Sequence, residues 1–240
     1  MARLIKIVPL KVVVEVLTGL HIGAGKDTVR IGDIDAPVVK LQYKEREGMP
    51  YIPGTSFKGK LRFLAEFKEG VVDSGKVHSC SRPDCKICKF FGVGAAEKTQ
   101  SSDKIETGSV QLTRLVFRDL ELSVEDREEF KELQEDPNRS FYEEKIEINI
   151  KRDTGSATPR YIERVPAGVR FEGHIMLRVF DEDIKNMAGA NEQERLDAYV
   201  SDVRSYLKEL FDLLNKDYLG GHGSRGYGAV RVQFVDTETD

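Results

Sequence analysis

The sequence has few of the residues that mark secreted or membrane-spanning proteins. Tryptophan is absent, and the three cysteines all lie between Cys80 and Cys88, too few and too close together for the disulfide framework of a secreted domain. No run of 18 apolar residues occurs, and the N-terminal segment alternates apolar with charged residues instead of forming a leader. These absences predict a soluble, cytoplasmic protein without a membrane partner.

Charge is spread unevenly along the chain. The formal net charge is -4, but residues 119–144 alone hold eleven acidic and three basic residues, so the rest of the chain is net positive. Between Val39 and Arg62 there are six basic and two acidic residues. Because phosphate binding depends on where basic residues cluster, the negative total does not exclude a nucleic-acid partner.

Hydrophobic periodicity predicts an α+β protein. Residues 11–23 are rich in β-branched residues, which predicts a strand that runs into a long loop. Thr55 or Ser56 could cap a helix that ends at Gly70. An acidic helix is predicted from about Val124 to Gln134 and a longer amphipathic helix over 192–215. Further strands are expected over 109–122, around 169–180 and in 227–234, and the segment 143–166 is typical of a long polar hairpin.

Without its insertions, the element order is β-α-β-β-α-β, which predicts a ferredoxin-like (RRM-like) fold. Its antiparallel sheet leaves one face free, and RNA-recognition folds bind on that face. We expect one domain over residues 1–240, with function concentrated in its insertions. These insertions are a loop with two aspartates at 21–51, a cysteine-bearing segment at 70–110, an acidic helical segment at 119–144 and the hairpin at 143–166.

The segment GTSFKGKL, residues 54–61, is similar to a phosphate-binding P-loop. Leu61 replaces the hydroxyl residue of that motif, and the Gly-Lys pair lies a full turn inside the predicted helix, so a nucleotide site is disfavoured. The helix would still present free amides at its start together with Ser56, Lys58, Lys60 and Arg62, its cations along one side, an arrangement that attracts phosphate. An ordinary solvated basic face is the alternative.

The segment LGGHGSRGYG, residues 219–228, contains five glycines. Glycines at this density let a backbone approach a polyanion closely, while Arg225 and an exposed Tyr227 would offer a charge and a stacking surface. With His222 and Ser224 between them, these residues predict contact with an RNA backbone in preference to a simple tight loop.

The segment HSCSRPDCKIC places His78, Cys80, Cys85 and Cys88 in the spacing H-x-C-x4-C-x2-C. Four soft or borderline ligands without a vacancy are typical of a closed, structural, tetrahedral zinc site. A redox pair formed by Cys85 and Cys88, or thiols without a role, are the alternatives. Zinc in this insertion would stabilise a small knuckle.

The segment IGDIDAPVVK carries Asp33 and Asp35 in the long loop. Aspartates in such a loop most often form turns, and the spacing alone favours that role over catalysis. His21, His174 and His222 do not form a recognisable nucleophile arrangement with a serine or cysteine.

Seven motifs occur in order over nearly the whole chain: TGLHIGAG, GDIDAPVVK, YIPGTSFKGKLR, CKFFG, RLVFRDL, RYIERVPAG and LGGHGSRGYGAV. Together they resemble the backbone subunit of type III-A CRISPR (Csm) effector complexes, a member of the RAMP superfamily. The resemblance implies a ferredoxin-like core with a thumb, the 143–166 hairpin. It also implies several copies arranged along one CRISPR RNA as a helical filament with other type III-A subunits.

The resemblance also implies an activity. In the family, target RNA paired to the guide is cut once per subunit at regular intervals by a metal-dependent endoribonuclease, in antiviral defence, and the reaction depends on the aspartate that is Asp35 here, with Asp33 as an extra neighbour. Mg²⁺ or a similar divalent cation would be needed. The RNA contacts that follow from the motifs and the resemblance are His21, Ser56, Lys58, Arg62, Arg160, Tyr161, His222, Ser224 and Arg225.

Two other functions fit the same motifs. The chain could be a non-catalytic RNA-binding scaffold, in which the aspartate loop is only a turn. It could also process precursor CRISPR RNA without a metal ion, with His21 as the base.

Overall fold

The computed structural model describes residues 2–25, 35–72, 75–80, 82, 84–93 and 112–235. This part of the chain contains eight strands and five α-helices. The strands are β1 Leu4–Val16, β2 Tyr51–Ile52, β3 Leu115–Phe117, β4 Leu120–Leu122, β5 Glu143–Ile150, β6 Ala157–Arg164, β7 Arg170–Phe180 and β8 Val230–Phe234. The helices are α1 Gly54–Lys68, α2 Lys86–Phe91, α3 Val124–Glu135, α4 Asp181–Ile184 and α5 Glu192–Leu214.

A six-stranded antiparallel sheet organises the α+β fold. Its strand order is β2-β4-β7-β1-β8, and β3 also pairs with β7. Because side chains alternate across a strand, every second residue of the central pair β1 and β7 points inward, and the opposed residues Val14 and Phe171 are both fully buried. The inner face of the sheet therefore forms one wall of the core.

Helices α1 and α5 supply the other wall of the core. Phe57 of α1 stacks on Phe211 of α5 with ring centroids 6.2 Å apart, and Leu207 and Leu210 of α5 are fully buried. Burial of each such side chain stabilises the fold by about 1.5–3 kcal/mol. Within the described residues, no helix combines the length and apolar character needed to cross a bilayer.

The outer face of the sheet is charged. Lys11 pairs with Glu172 at 2.8 Å, and Arg231 pairs with Glu15 at 2.6 Å. The aromatic residues of β1, β7 and β8 do not lie on this face: Phe171 and Phe180 are buried, and Phe234 packs on Phe211. In these three strands, the face that we expected to bind RNA therefore lacks the phenylalanine and tyrosine rings on which RNA-recognition sheets stack bases, and such a ring occurs only at the β2 edge, where Tyr51 lies opposite Glu121 among the described residues.

The strand predicted over 109–122 is interrupted. It forms two short strands, β3 and β4, because the start of α1 approaches the chain between them. The amide of Gly54 donates to Asp119 Oδ1 at 2.7 Å, and a Cβ at Gly54 would lie 2.6 Å from the carbonyl oxygen of Phe117. The N-cap residue of α1 is Pro53, and no side chain of the N-cap accepts a hydrogen bond, so the predicted caps Thr55 and Ser56 are wrong.

Strands β5 and β6 form the predicted hairpin as a separate two-stranded sheet. One face of this hairpin carries Ile146, Ile148 and Ile150, each more than half exposed, with Tyr161 opposite Ile146. Only the base of the hairpin, including Ile162, is buried. We call this hairpin the thumb.

A side chain forms hydrogen bonds with the outward-facing backbone groups of the edge strand β8. Asn215, which follows α5, accepts the amide of Val232 through Oδ1 at 2.7 Å and donates from Nδ2 to the carbonyl of the same residue at 3.3 Å. The free backbone groups at this point of the edge are thereby satisfied within the molecule.

Candidate functional site

The loop that carries Asp35 lies along the base of the thumb. Ala36 forms a parallel bridge with Ile162, and its carbonyl accepts the amide of Glu163 at 3.1 Å. The exposed carboxylate of Asp35 accepts the amide of Tyr161 through Oδ2 at 2.9 Å. The structure therefore places Asp35 at the root of the thumb, where a ligand can reach it.

Glu163 joins this loop to the thumb. Its side chain is buried, and its two carboxylate oxygens accept hydrogen bonds from the amide of Val38 at 2.9 Å and from Lys40 Nζ at 2.7 Å. Lys40 also lies 4.1 Å from the ring centroid of Tyr142. Asp33, the second aspartate of the motif, lies outside the described residues.

His21 connects the thumb base with the glycine-rich loop. Its ring is only 6% exposed, and Nδ1 lies 2.7 Å from the carbonyl oxygen of Glu163, to which it can donate. The carbonyl of His21 accepts the amide of Gly221 at 2.8 Å, and its ring centroid lies 5.3 Å from that of His222. A largely buried ring with these contacts holds the two segments together.

The glycine-rich loop, residues 219–228, is shaped mainly by its own packing. Gly228 has φ +70°, and a Cβ there would lie 2.0 Å from the carbonyl oxygen of Leu219. A Cβ at Gly223 would lie within 2.2 Å of atoms of the Tyr218 ring. These glycines therefore allow the loop to close on itself, which is a different reason from the predicted approach to a polyanion.

Tyr227 is not the exposed stacking surface that we predicted. It is 1% exposed, and Lys145 Nζ and the guanidinium of Arg164, both from the thumb, lie 4.3 and 5.3 Å from its ring centroid. Burial and Glu147 raise the pKa of its hydroxyl to about 12. The ring thus anchors the thumb to the loop.

Ser224 and Arg225 form the exposed tip of the glycine-rich loop. Arg225 contacts both Glu147 on the thumb and Nδ1 of His222. Burial and the charge of Arg225 lower the pKa of His222 below its ordinary value of 6.5, with a smaller contribution from His21, while Glu147 opposes the shift. His222 is therefore held neutral near pH 7.

This shift predicts an acid-sensitive contribution to stability. Because the folded-state pKa of His222 is lowered, the unfolded chain takes up the proton first as the pH falls. Stability from this group is complete above about pH 6.5 and is lost as the pH falls through the folded pKa. Melting temperatures measured from pH 7.5 to 5.0 should fall less steeply for His222→Gln than for the parent. His174→Gln, on the outer sheet face, is the control, and an identical profile for His222→Gln and the parent would contradict the prediction.

Helix α1 does not present its predicted phosphate contacts on one side. At 100° per residue, Lys58 and Arg62 share one face, whereas Ser56 lies on another with Lys60. Arg62 pairs with Glu66 at 2.9 Å and donates to the carbonyl of His78 at 2.6 Å, so its guanidinium is already engaged. The carboxylate of Asp119 already accepts the first helix amide, so the N-terminus is not bare.

Lys58 and Lys60 differ in their surroundings. Lys58 is half-buried, and burial together with Arg62 lowers the pKa of its amine. Lys60 pairs with Asp217 at 2.7 Å and lies 4.0 Å from the ring centroid of Tyr218, which itself packs beside the glycine-rich loop. Lys60 thus links α1 to that loop, a role that the sequence did not reveal.

The two thumb residues singled out from the sequence lie on opposite faces of β6. Arg160 lies opposite Glu147 in the register of the hairpin, and Tyr161 lies opposite Ile146 on the apolar face. Tyr161 is 43% exposed. Both side chains are therefore open to a ligand that lies across the thumb.

The four predicted metal ligands converge. Their ligand atoms all lie within 4.8 Å of one another, with Cys80 Sγ 3.8 Å from Cys88 Sγ and Cys85 Sγ 3.4 Å from His78 Nε2. Two sulfur ligands of a tetrahedral zinc with Zn–S bonds of about 2.3 Å lie about 3.8 Å apart. Burial raises the pKa of the Cys88 thiol to about 12, and a bound cation would oppose this by favouring the thiolate. The cluster could hold a metal ion.

The cluster is supported from two sides. Cys85 is the N-cap residue of α2, which buries Ile87 and Phe91 in the core. Glu66 of α1 accepts the amide of His78 at 3.2 Å, and Lys89 pairs with the buried Asp183 at 2.8 Å. Much of the predicted 70–110 insertion lies outside the described residues, but its four predicted metal ligands are described.

Comparisons with known proteins agree with this arrangement. The family model for the RAMP superfamily matches residues 13–231. The curated "CRISPR system Cms endoribonuclease Csm3" of Enterococcus italicus is 36% identical over 226 residues, which cover 93% of this chain and 89% of that protein. Proteins of the same name from Methanothermobacter thermautotrophicus and Streptococcus thermophilus are 37% and 35% identical, with 91% and 92% of this chain covered and 80% and 85% of theirs.

A solved structure shares the fold. A chain in the cryo-EM structure of the type III-B Cmr-beta bound to cognate target RNA aligns with a TM-score of 0.57 at 14% sequence identity. The alignment covers 96% of this chain and 61% of that chain. At this identity the likeness concerns the fold alone.

Proposed function

The chain belongs to the RAMP superfamily and, within it, to the Csm3 endoribonucleases, and we propose that it is the CRISPR RNA-binding backbone subunit of a type III-A (Csm) complex that cuts guide-paired target RNA. The cuts would fall at regular intervals, one per subunit, in antiviral defence. The observation that carries this proposal is the exposed Asp35 carboxylate at the base of the thumb. It lies in a chain that is 36% identical to an endoribonuclease over nearly its whole length.

The core is proposed to be ferredoxin-like. The order β8-β1-β7 followed by β3 and β4, with α1 and α5 on one face, supports the βαββαβ topology. The metal cluster is then a zinc knuckle, part of a small lid inserted after α1. The thumb is a second insertion that leads directly back into β7.

RNA contacts are proposed on two sides of the thumb base. Ser224 and Arg225 of the glycine-rich loop are exposed and would bind guide phosphates, with His222 behind them. On the thumb, Arg160 and Tyr161 would lie beside an unstacked base, since aromatic and guanidinium planes are the usual stacking partners of single-stranded RNA. His21 would support this surface from below.

Helix α1 contributes less directly to the RNA surface. Ser56 and Lys58 are proposed to approach the guide backbone, and Arg62 would do so through the segment that it holds at His78. Because the Asp119 carboxylate already occupies the helix start, attraction of phosphate there depends on these side chains rather than on the helix amides.

Asp35 is the residue proposed to act in cleavage. A carboxylate oxygen is the ligand that Mg²⁺ prefers, and Asp35 is exposed with one oxygen engaged by the amide of Tyr161, which fixes its direction. When bound, a divalent cation stabilises developing charge on a phosphoryl oxygen. Asp35 would hold that cation or help to activate the neighbouring ribose 2′-OH, and displacement of a base by the thumb would let the backbone adopt an in-line geometry.

The proposed partners follow from this role. They are CRISPR RNA, target RNA, further copies of this chain in a helical filament and other type III-A subunits, and the complex would act in the cytoplasm. A contact that uses two different surfaces of the same chain generates an open helical array when its rotation does not close.

A non-catalytic scaffold is the second candidate. The hydrogen bond from the Tyr161 amide to Asp35 is the kind of contact that a purely structural loop aspartate would make. A metal-independent base at His21 is less favoured, because that ring is largely buried and Nδ1 is engaged.

Cleavage of an end-labelled, guide-complementary RNA by the assembled complex tests the proposal. With Mg²⁺ we expect a ladder of regularly spaced products, and with EDTA we expect target binding without cutting. Tight binding with no ladder under either condition would leave the scaffold function, and an EDTA-resistant ladder would favour the histidine mechanism.

A further inference from the structure

Glu163 is a buried acid with an unexpected set of partners. It is 3% exposed, although carboxylates are rarely buried unless they are paired. Both side-chain hydrogen bonds that the described structure gives it, from the Val38 amide and from Lys40 Nζ, come from the loop that carries Asp35. An apolar residue would suffice to pack this strand, so the carboxylate serves the loop.

The described part of the loop around Asp35, residues 35–40, has no regular strand pairing of its own to hold it. Residues 35–40 form only single bridges, from Ala36 to Ile162, from Val38 to Gly23 and from Lys40 to Pro50. Against this background, Glu163 contributes contacts from both its backbone and its side chain. Its amide binds the Ala36 carbonyl at 3.1 Å, and its carboxylate binds the loop two and four residues further on.

We infer that Glu163 is a positioning residue: its carboxylate clamps the aspartate loop to the base of the thumb and so fixes where Asp35 meets the target strand. The inference rests on the proposed function, because it assigns Glu163 a part in that reaction through Asp35. Glu163 and Tyr161 belong to the same strand, β6, so the thumb and the aspartate move as one unit. A target strand seated against the thumb is thereby brought into register with the carboxylate.

Glu163→Gln removes the clamp with little change in volume. The glutamine side chain has one acceptor oxygen, whereas the Val38 backbone amide and the Lys40 ammonium each donate to a separate oxygen of Glu163. Because the two donors bind different carboxylate oxygens and an ammonium would be repelled by the glutamine NH2 group, the glutamine oxygen faces Lys40 and the contact with the Val38 amide is lost. A displacement of about 1 Å at a reacting group can lower a rate up to about 100-fold, and we expect cleavage at saturating target to fall at least about tenfold, with target affinity within about twofold of the parent.

Two measurements test the inference. The first is cleavage rate against target affinity in the assembled complex. The second is hydrogen exchange of the full chain resolved to single amides, in which the Val38 amide should exchange about tenfold faster in Glu163→Gln because its acceptor is lost. The matched control is Glu143→Gln on the same hairpin. It breaks the 2.8 Å ion pair with Arg164 but has no contact with the described residues of the aspartate loop, and it should match the parent in both measurements.

Lys40→Met provides an independent variant should Glu163→Gln fail to fold or assemble. It removes the 2.7 Å contact between Lys40 and Glu163 from the loop side. We expect target affinity to be unchanged and the cleavage rate to fall, by less than in Glu163→Gln. Parent-like cleavage and parent-like Val38 exchange in these variants would overturn the inference, as would an equal loss of target binding and cleavage. If the parent complex does not cut, or Asp35→Ala cuts normally, the proposed function fails, and Val38 exchange still reports separately whether Glu163 holds the loop.

Discussion

Asp35→Ala is expected to reduce target cleavage by at least about 100-fold, the range over which a positioned catalytic carboxylate contributes, while guide and target affinities change less than about twofold. The reason lies in its position. The side chain is exposed at the thumb base and has no described contact with the core, so its removal leaves the RNA surface in place. Single-turnover cleavage and filter binding with the assembled complex give the two values.

Asp35→Asn separates catalysis from turn formation. The asparagine amide oxygen can still accept the amide of Tyr161, so a structural aspartate would be replaced without loss. A catalytic carboxylate cannot be replaced by an amide without loss of activity, so we expect the Asp35→Asn variant to be as inactive as Asp35→Ala. The matched control is Asp136→Asn, a loop aspartate that accepts the amide of Asn138 at 2.9 Å after α3. Full cleavage by Asp35→Asn would show that the loop is only a turn.

Cys85→Ser is expected to have the largest effect on stability. Serine preserves the N-cap of α2, where it is a favoured residue, so the change removes a metal ligand and little else. Structural zinc contributes its binding free energy to folding. A decrease of about 3–5 kcal/mol in the free energy of unfolding corresponds to a decrease in melting temperature of about 10 °C for a chain of this size.

Elemental analysis and thermal melting check this expectation. The purified parent should contain one zinc per chain and Cys85→Ser much less, and a strong chelator should lower the melting temperature of the parent towards that of the variant without affecting the variant further. Ser79→Ala, within the same segment, is the control. Absence of bound metal in the parent, or equal melting of Cys85→Ser and the parent, would remove the zinc assignment.

The sequence predicted best what depends on local pattern. The apolar repeat of α5 placed that helix at 192–215, and the structure has Glu192–Leu214. The His/Cys cluster could be found because its four residues fall within eleven positions, a spacing that chain geometry brings together with little help from the rest of the fold. The alternation of Ile146, Ile148 and Ile150 likewise predicted the thumb.

Features that depend on distant parts of the chain were missed. The break between β3 and β4 arises from the contact of Asp119 with Gly54, 65 residues away in sequence. Tyr227 looked exposed because its neighbours are glycines, yet it is buried beneath Lys145 and Arg164 of the thumb. Glu163 resembled any polar residue of an alternating hairpin, and no local signal marks it as buried.

Asn215, which satisfies the backbone of Val232 at the edge of β8, limits how identical chains can associate when they lie close together. In the proposed filament, identical chains side by side on one RNA would be at high local concentration, a condition in which unpaired strand edges join into aggregates. The Asn215 amide already satisfies both backbone groups of Val232, so this edge offers a neighbour no template there. In the proposed filament, neighbouring copies would therefore not associate by strand pairing at Val232, and contacts at this point of the edge would be made by side chains or by the RNA.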